Sequence, residues 1–95
     1  MLAGKHFARA VDLYTSALEA RPSAVLYANR AAAHLALENC GAALADAESS
    51  VQLDASYVKA YYRRAAARFL LGKHAEALQD YRYVRPCRAA PPVRG

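Results

Sequence analysis

Small and apolar residues recur along this chain at three- and four-residue intervals, in five stretches separated by Pro, Gly and Asp-Ser clusters. Ala10, Tyr14 and Ala17 stand at i, i+4 and i+7, which is one face of a helix. The stripe returns as Ala43, Ala47 and Ser50, and again as Ala77, Tyr81 and Val84. The spacing predicts helices over residues 5–20, 24–37, 41–53, 57–71 and 74–84. Pro22 and Gly72 fall at helix boundaries, where a missing N–H or tolerance of positive φ is useful. Ser23 and Ser56 are placed to cap the helices that follow, and Asp54 marks the turn before the second of these.

The stripes repeat with a fixed step. Ala10 to Ala43 is 33 residues and Ala43 to Ala77 is 34, while Tyr27, Asn29 and Ala31 lie 34 residues before Tyr61, Arg63 and Ala65. Two helices in a unit of about 34 residues is the period of the tetratricopeptide (TPR) solenoid. The expected fold is therefore all-α, a solenoid of antiparallel helix pairs with about five helices. Its units are residues 1–22 (second helix of a first repeat), 23–55 and 56–85, followed by a disordered basic, Pro-rich tail over 86–95. A chain that opens on the second helix of a repeat and ends without a capping helix looks truncated, or like a splice form of a longer protein. Solenoid ends normally carry polar outer faces. Partial exposure is expected of Phe7, Leu13 and Leu18 at one end and Leu78 and Tyr81 at the other, with marginal stability or self-association as the consequence.

Composition narrows the function. Alanine fills 24 of 95 positions against 19 for Leu, Val and Phe together, which suits closely packed helices better than a sheet. The net charge of +5 resembles a nucleic-acid signal, but residues 1–81 hold nine Lys/Arg against eight Asp/Glu. The excess is the four arginines of residues 82–95, which hold no acid and form no binding groove. Cys40 and Cys87 are too few for a structural zinc and read as ordinary thiols of a reducing compartment, cytoplasmic or nuclear. No apolar run approaches the roughly 18 residues of a membrane span. His6, His34 and His74 sit in different repeat copies with no HExxH, and phosphate-loop and dinucleotide fingerprints are missing. Asp12, Asp46 and Asp80 recur by repeat, and a solubilising acidic face is enough to explain them. No enzyme, metal or cofactor is expected.

Two stretches carry a resemblance. Leu26 to Leu35 (LYANRAAAHL), followed by Ala42 to Ala47 (AALADA), resembles the middle repeat of the carboxylate-clamp class of TPR cochaperones. Tyr57 to Ala67 (YVKAYYRRAAA), with Leu71 to Tyr81 (LGKHAEALQDY), is similar to the third repeat of the TPR domains of type-five serine/threonine phosphatases. The resemblance implies a concave groove for the acidic C-terminal Glu-Glu-Val-Asp of the seventy- and ninety-kilodalton heat-shock chaperones. It places Asn29, Lys59 and Arg63 on the peptide's carboxylates; Arg30 and Arg64 point elsewhere on their helices, where support of the ligand and a surface or inter-repeat ion pair are equal alternatives. The Lys and Asn that the class takes from its first helix have no counterpart in this chain. The catalytic domain of such a phosphatase would lie outside it.

The residues support the same chemistry independently. Lys59 and Arg63 at i, i+4 project together from one helix and offer an ammonium and a planar guanidinium to a carboxylate. Asn29 sits one repeat earlier at the equivalent of Arg63 and donates an amide without adding charge. The rival explanation for Lys59 and Arg63 is a solvated helix face. Tyr27 and Tyr61, one unit apart, suit inter-helix packing, whereas nothing fixes the face of Tyr62. Binding of an acidic peptide is one expectation; the alternative is a non-catalytic fragment that self-associates or scaffolds other TPR proteins through its exposed end helices.

Overall fold

A computed structural model describes residues 4–88. It contains five helices in that range: α1 (Gly4–Ala20), α2 (Ala24–Ala36), α3 (Cys40–Leu53), α4 (Val58–Leu70) and α5 (His74–Arg88). Each lies within a residue or two of its expected bounds except α5. That helix continues through Pro86 and Cys87 to Arg88, so the expected tail does not begin at 86. Residues 89–95 lie outside the described residues.

Short connections fold the chain back on itself, and α2 packs on α3, α4 on α5, α3 on α4, α1 on α2, and α2 on α4. The result is an elongated stack of 44 × 26 × 25 Å. Alanine sets its density: nine of the eleven buried apolar residues among those described are alanines. Ala31, Ala43, Ala47 and Ala67 form one cluster from α2, α3 and α4, with Leu35 and Leu44 packed against it. Ser50 takes the place that Val84 holds one unit later and is fully buried. Its hydroxyl donates to the Ala24 carbonyl at 2.7 Å, which ties α3 to the first turn of α2.

The end faces are partly as expected. Leu13 and Leu78 are at least half exposed, whereas Leu18 is buried against the stack. Phe7 and Tyr81 are half-buried.

Turns repeat with the same step as the helices. After α2 the Glu38 N–H bonds the Leu35 carbonyl and Asn39 N–H bonds that of His34; after α4, Gly72 bonds Phe69 and Lys73 bonds Arg68. Both are Schellman closures with a left-handed residue at the turn, Glu38 at φ 65° and Gly72 at φ 86°. At the helix starts, Ser23 caps α2 by accepting from the Leu26 N–H at 3.3 Å. Ser56 does not cap α4, which starts from Tyr57. Its N–H and hydroxyl instead donate to Asp54 Oδ1 at 3.0 and 2.6 Å, closing the turn between α3 and α4.

Two outcomes follow. Glu38→Gly is expected to raise stability by about 1 kcal/mol and Gly72→Ala to lower it by about 1 kcal/mol or more, measured by urea unfolding, because only glycine enters this region without strain. The Ser56 hydrogen bonds hold the Asp54 carboxyl below its ordinary range. A depressed folded-state pKa stabilises the turn above the ordinary carboxylate range, and that contribution disappears as the pH falls through the depressed value. Asp54→Asn is therefore expected to flatten the acid limb of the thermal-stability profile and leave neutral pH less affected.

Candidate functional site

The arginines separate into two kinds once the helices are packed. Arg30 of α2 donates from Nε to Asp46 Oδ2 at 2.8 Å and from Nη2 to Oδ1 at 2.7 Å, and its Nη1 reaches Thr15 Oγ1 at 2.9 Å. One guanidinium thus joins α1, α2 and α3. One unit later Arg64 grips Asp80 in the same bidentate way, at 3.1 and 2.8 Å. Arg68 adds a bond to Asp80 at 3.0 Å and approaches Glu48 of α3 at 3.8 Å. His34 is the counterpart of Arg68 and stands 3.6 Å from Asp46. The aspartates are buried, and their hydrogen bonds raise the pKa of Arg30 and Arg64.

These contacts correct one expectation and decide between the alternatives of another. Asp46 and Asp80 do not form a solubilising face, because each is the buried acceptor of an inter-helix ion pair; Asp12 alone is exposed. Arg30 and Arg64 make the inter-repeat ion pairs that were the alternative to a supporting role at a ligand. Tyr27 and Tyr61 lie beneath them on the same helices, with ring centres 5.7 and 5.1 Å from the guanidinium carbons. Tyr61 also donates its hydroxyl to the Ala55 carbonyl at 2.8 Å.

Arg63, beside Arg64 in sequence, points elsewhere. Its guanidinium lies 5.4 Å from the centre of the Tyr62 ring, which in turn meets Tyr81 edge-on at 6.2 Å. The face of Tyr62, open in the sequence, is thereby settled. Arg63 Nε is buried and has no hydrogen-bond partner. A buried cationic donor without an acceptor costs about 1–3 kcal/mol, and the Tyr62 ring is the contact that faces this guanidinium. Lys59 stands one turn earlier on α4 and is exposed. Asn29 occupies the register of Arg63 on α2, the neighbouring helix.

Asn29 also faces a second opening. With Ala32 and Ala33 of α2 and His6, Phe7, Ala10 and Tyr14 of α1 it lines a cavity of about 290 Å³. Lys59 and Arg63 do not line that cavity, so the structure pairs them on α4 and sets Asn29 on a wall shared with α1. The Ala10 and Tyr14 stripe was visible in the sequence, but not that it would border a cavity. The role of Arg68 was also missed, although the 34-residue step to His34 was there to find. Among the described residues no three His, Cys, Asp or Glu side chains gather as metal ligands would.

No known family profile matches the chain. Individual proteins do. It is 46% identical over 81 residues to Serine/threonine-protein phosphatase 5 of Homo sapiens, a match that covers 84% of this chain and 16% of the phosphatase. Among solved structures it resembles the first TPR of Spaghetti (RPAP3) bound to the HSP90 peptide SRMEEVD, with TM-score 0.84 and 41% identity over 90% of this chain and 70% of that one. It also resembles the second TPR domain of human RPAP3 in complex with the HSP70 peptide SGPTIEEVD, with TM-score 0.82 and 38% identity over 90% and 72%. The chain thus spans about one-sixth of the curated phosphatase and most of each solved domain.

The two kinds of arginine should separate in a stability experiment. Arg30→Ala strands buried Asp46 and is expected to cost about 3 kcal/mol in urea unfolding, whereas Arg63→Ala removes a stacked, unpaired cation and is expected to cost about 1 kcal/mol or less.

Proposed function

We propose that this chain, which belongs to the tetratricopeptide-repeat family, binds the acidic C-terminal peptide of a seventy- or ninety-kilodalton heat-shock chaperone through Asn29, Lys59 and Arg63. The observation that carries this is the contrast between neighbouring arginines. Arg30 and Arg64 are each held bidentately by a buried aspartate, while Arg63 keeps a buried donor without an acceptor. The two solved relatives are held on peptides that both end in Glu-Glu-Val-Asp. Such an end brings side-chain carboxylates and a free terminal carboxylate, the partners a guanidinium and an ammonium select.

In this reading residues 1–22, 23–55 and 56–85 are successive repeat units, and the chain is a non-catalytic adaptor acting in the cytoplasm or nucleus. The catalytic activity of the phosphatases it resembles would belong to a longer protein. Among the described residues no helix is long and apolar enough to cross a membrane.

Titration of residues 1–95 with a labelled Met-Glu-Glu-Val-Asp peptide tests the assignment. Lys59→Ala and Arg63→Ala are each expected to weaken binding about tenfold or more, C-terminal amidation of the peptide to weaken it comparably, and added salt to weaken it progressively. Affinity indifferent to amidation and to the double variant would refute the proposed site.

A further inference from the structure

Helices α2 and α4 are copies of one element, and they differ together at neighbouring positions. Asn29 of α2 becomes Arg63 of α4 one repeat step later, Ala28 before it becomes Tyr62, and Ala47 of α3 becomes Tyr81 of α5. In the earlier unit both alanines are buried, at 1% and 0% exposure. In the later one the two rings meet edge-on at 6.2 Å, and Tyr62 stays 42% exposed. Much of the Tyr62 ring therefore remains in water, and what it adds is a contact to the Arg63 guanidinium, whose carbon stands 5.4 Å from the ring centre. The aromatic pair occurs in the unit that carries the cation, and alanines stand in its place in the unit that carries the neutral amide.

We propose that Tyr62 is a positioning residue, itself braced by Tyr81, that holds the Arg63 guanidinium for a carboxylate of an acidic peptide; this rests on the peptide-binding role of Arg63. A long arginine side chain loses rotamer freedom when it fixes an anion, and one already stacked on a ring has lost part of that freedom beforehand. The donors of a guanidinium lie in its plane, so a ring against its face leaves the edge for a carboxylate.

Arg30 and Arg64 show the other way to fix a guanidinium. Each has a tyrosine nearby, at 5.7 and 5.1 Å, but takes its direction from two hydrogen bonds to a buried aspartate. An aspartate in the same place beside Arg63 would consume the donors that a ligand needs. An aromatic face orients the cation without using an N–H. Lys59, exposed one turn earlier, is an ammonium with no plane to orient, so it supplies charge and not direction.

The test is an anisotropy titration of the full chain with a fluorescein-labelled Met-Glu-Glu-Val-Asp peptide. Tyr62→Leu is expected to weaken binding about fivefold, and Tyr62→Phe, which keeps the ring face, to bind within about twofold of the unchanged chain. With Arg63→Ala already present, Tyr62→Leu is expected to change affinity by less than about twofold, whereas with Lys59→Ala present its loss of about fivefold is retained. Circular dichroism and urea unfolding check that each variant is folded. Failure of Tyr62→Phe to preserve binding, or an equal loss with and without Arg63, overturns the positioning role and leaves the peptide site standing. Absence of saturable binding by the unchanged chain refutes that site and this role with it.

Discussion

Close approach of helices across alanine is the constraint on which the other features depend. Alanine is the strongest helix former, so five short helices form from a sequence with few large apolar residues. It also lets backbones come near enough for short polar side chains to bridge them, as the Ser50 hydroxyl bridges to Ala24. A small side chain removes little apolar surface from water, however, and its lack of shape leaves helix register weakly specified. Something more directional has to fix how one helix sits on the next.

The Arg–Asp pairs supply that direction. A guanidinium fork on a carboxylate has one good geometry, and Arg30 on Asp46 and Arg64 on Asp80 impose it sixteen residues apart in both complete helix pairs. Each network also reaches the preceding helix, through Thr15 in one case and Glu48 in the other. A buried ion pair adds little net stability compared with a well-packed apolar substitute, but removing one partner is costly. Here the pairs set the register of a core too small-featured to set its own. One difference between the units, His34 for Arg68, leaves Asp46 with one guanidinium where Asp80 has two.

Because these pairs consume Arg30 and Arg64, the cations left for recognition are those turned away from the helix-pair interface. Arg63 is adjacent to Arg64 but projects about 100° around the helix, onto Tyr62 and toward the face shared with Lys59. Structural and ligand-facing roles alternate along one helix, and the same periodicity places Asn29 next to the structural Arg30. The cavity at α1 has a related origin. Ala10 and Tyr14 on its wall continue the stripe that Ala43 and Ala47 carry in the buried core.

The sequence by itself determined the five helices, the 34-residue step and the equivalence of Asn29 with Arg63, because helix periodicity and helix-ending residues act over a few neighbours along the chain. It made Lys59, Arg63 and Asn29 candidates through residue type and resemblance, since an i, i+4 cation pair is a local property. Only the tertiary structure decided that Asp46 and Asp80 are buried latches, that Arg30 and Arg64 are spent on them, that Leu18 is covered while Leu13 is not, and that Ala10 and Tyr14 border a cavity. Periodicity tells which residues share a face of a helix. What lies against that face depends on contacts between residues far apart in the chain, and with them whether a charge meets water, a ligand or a buried partner.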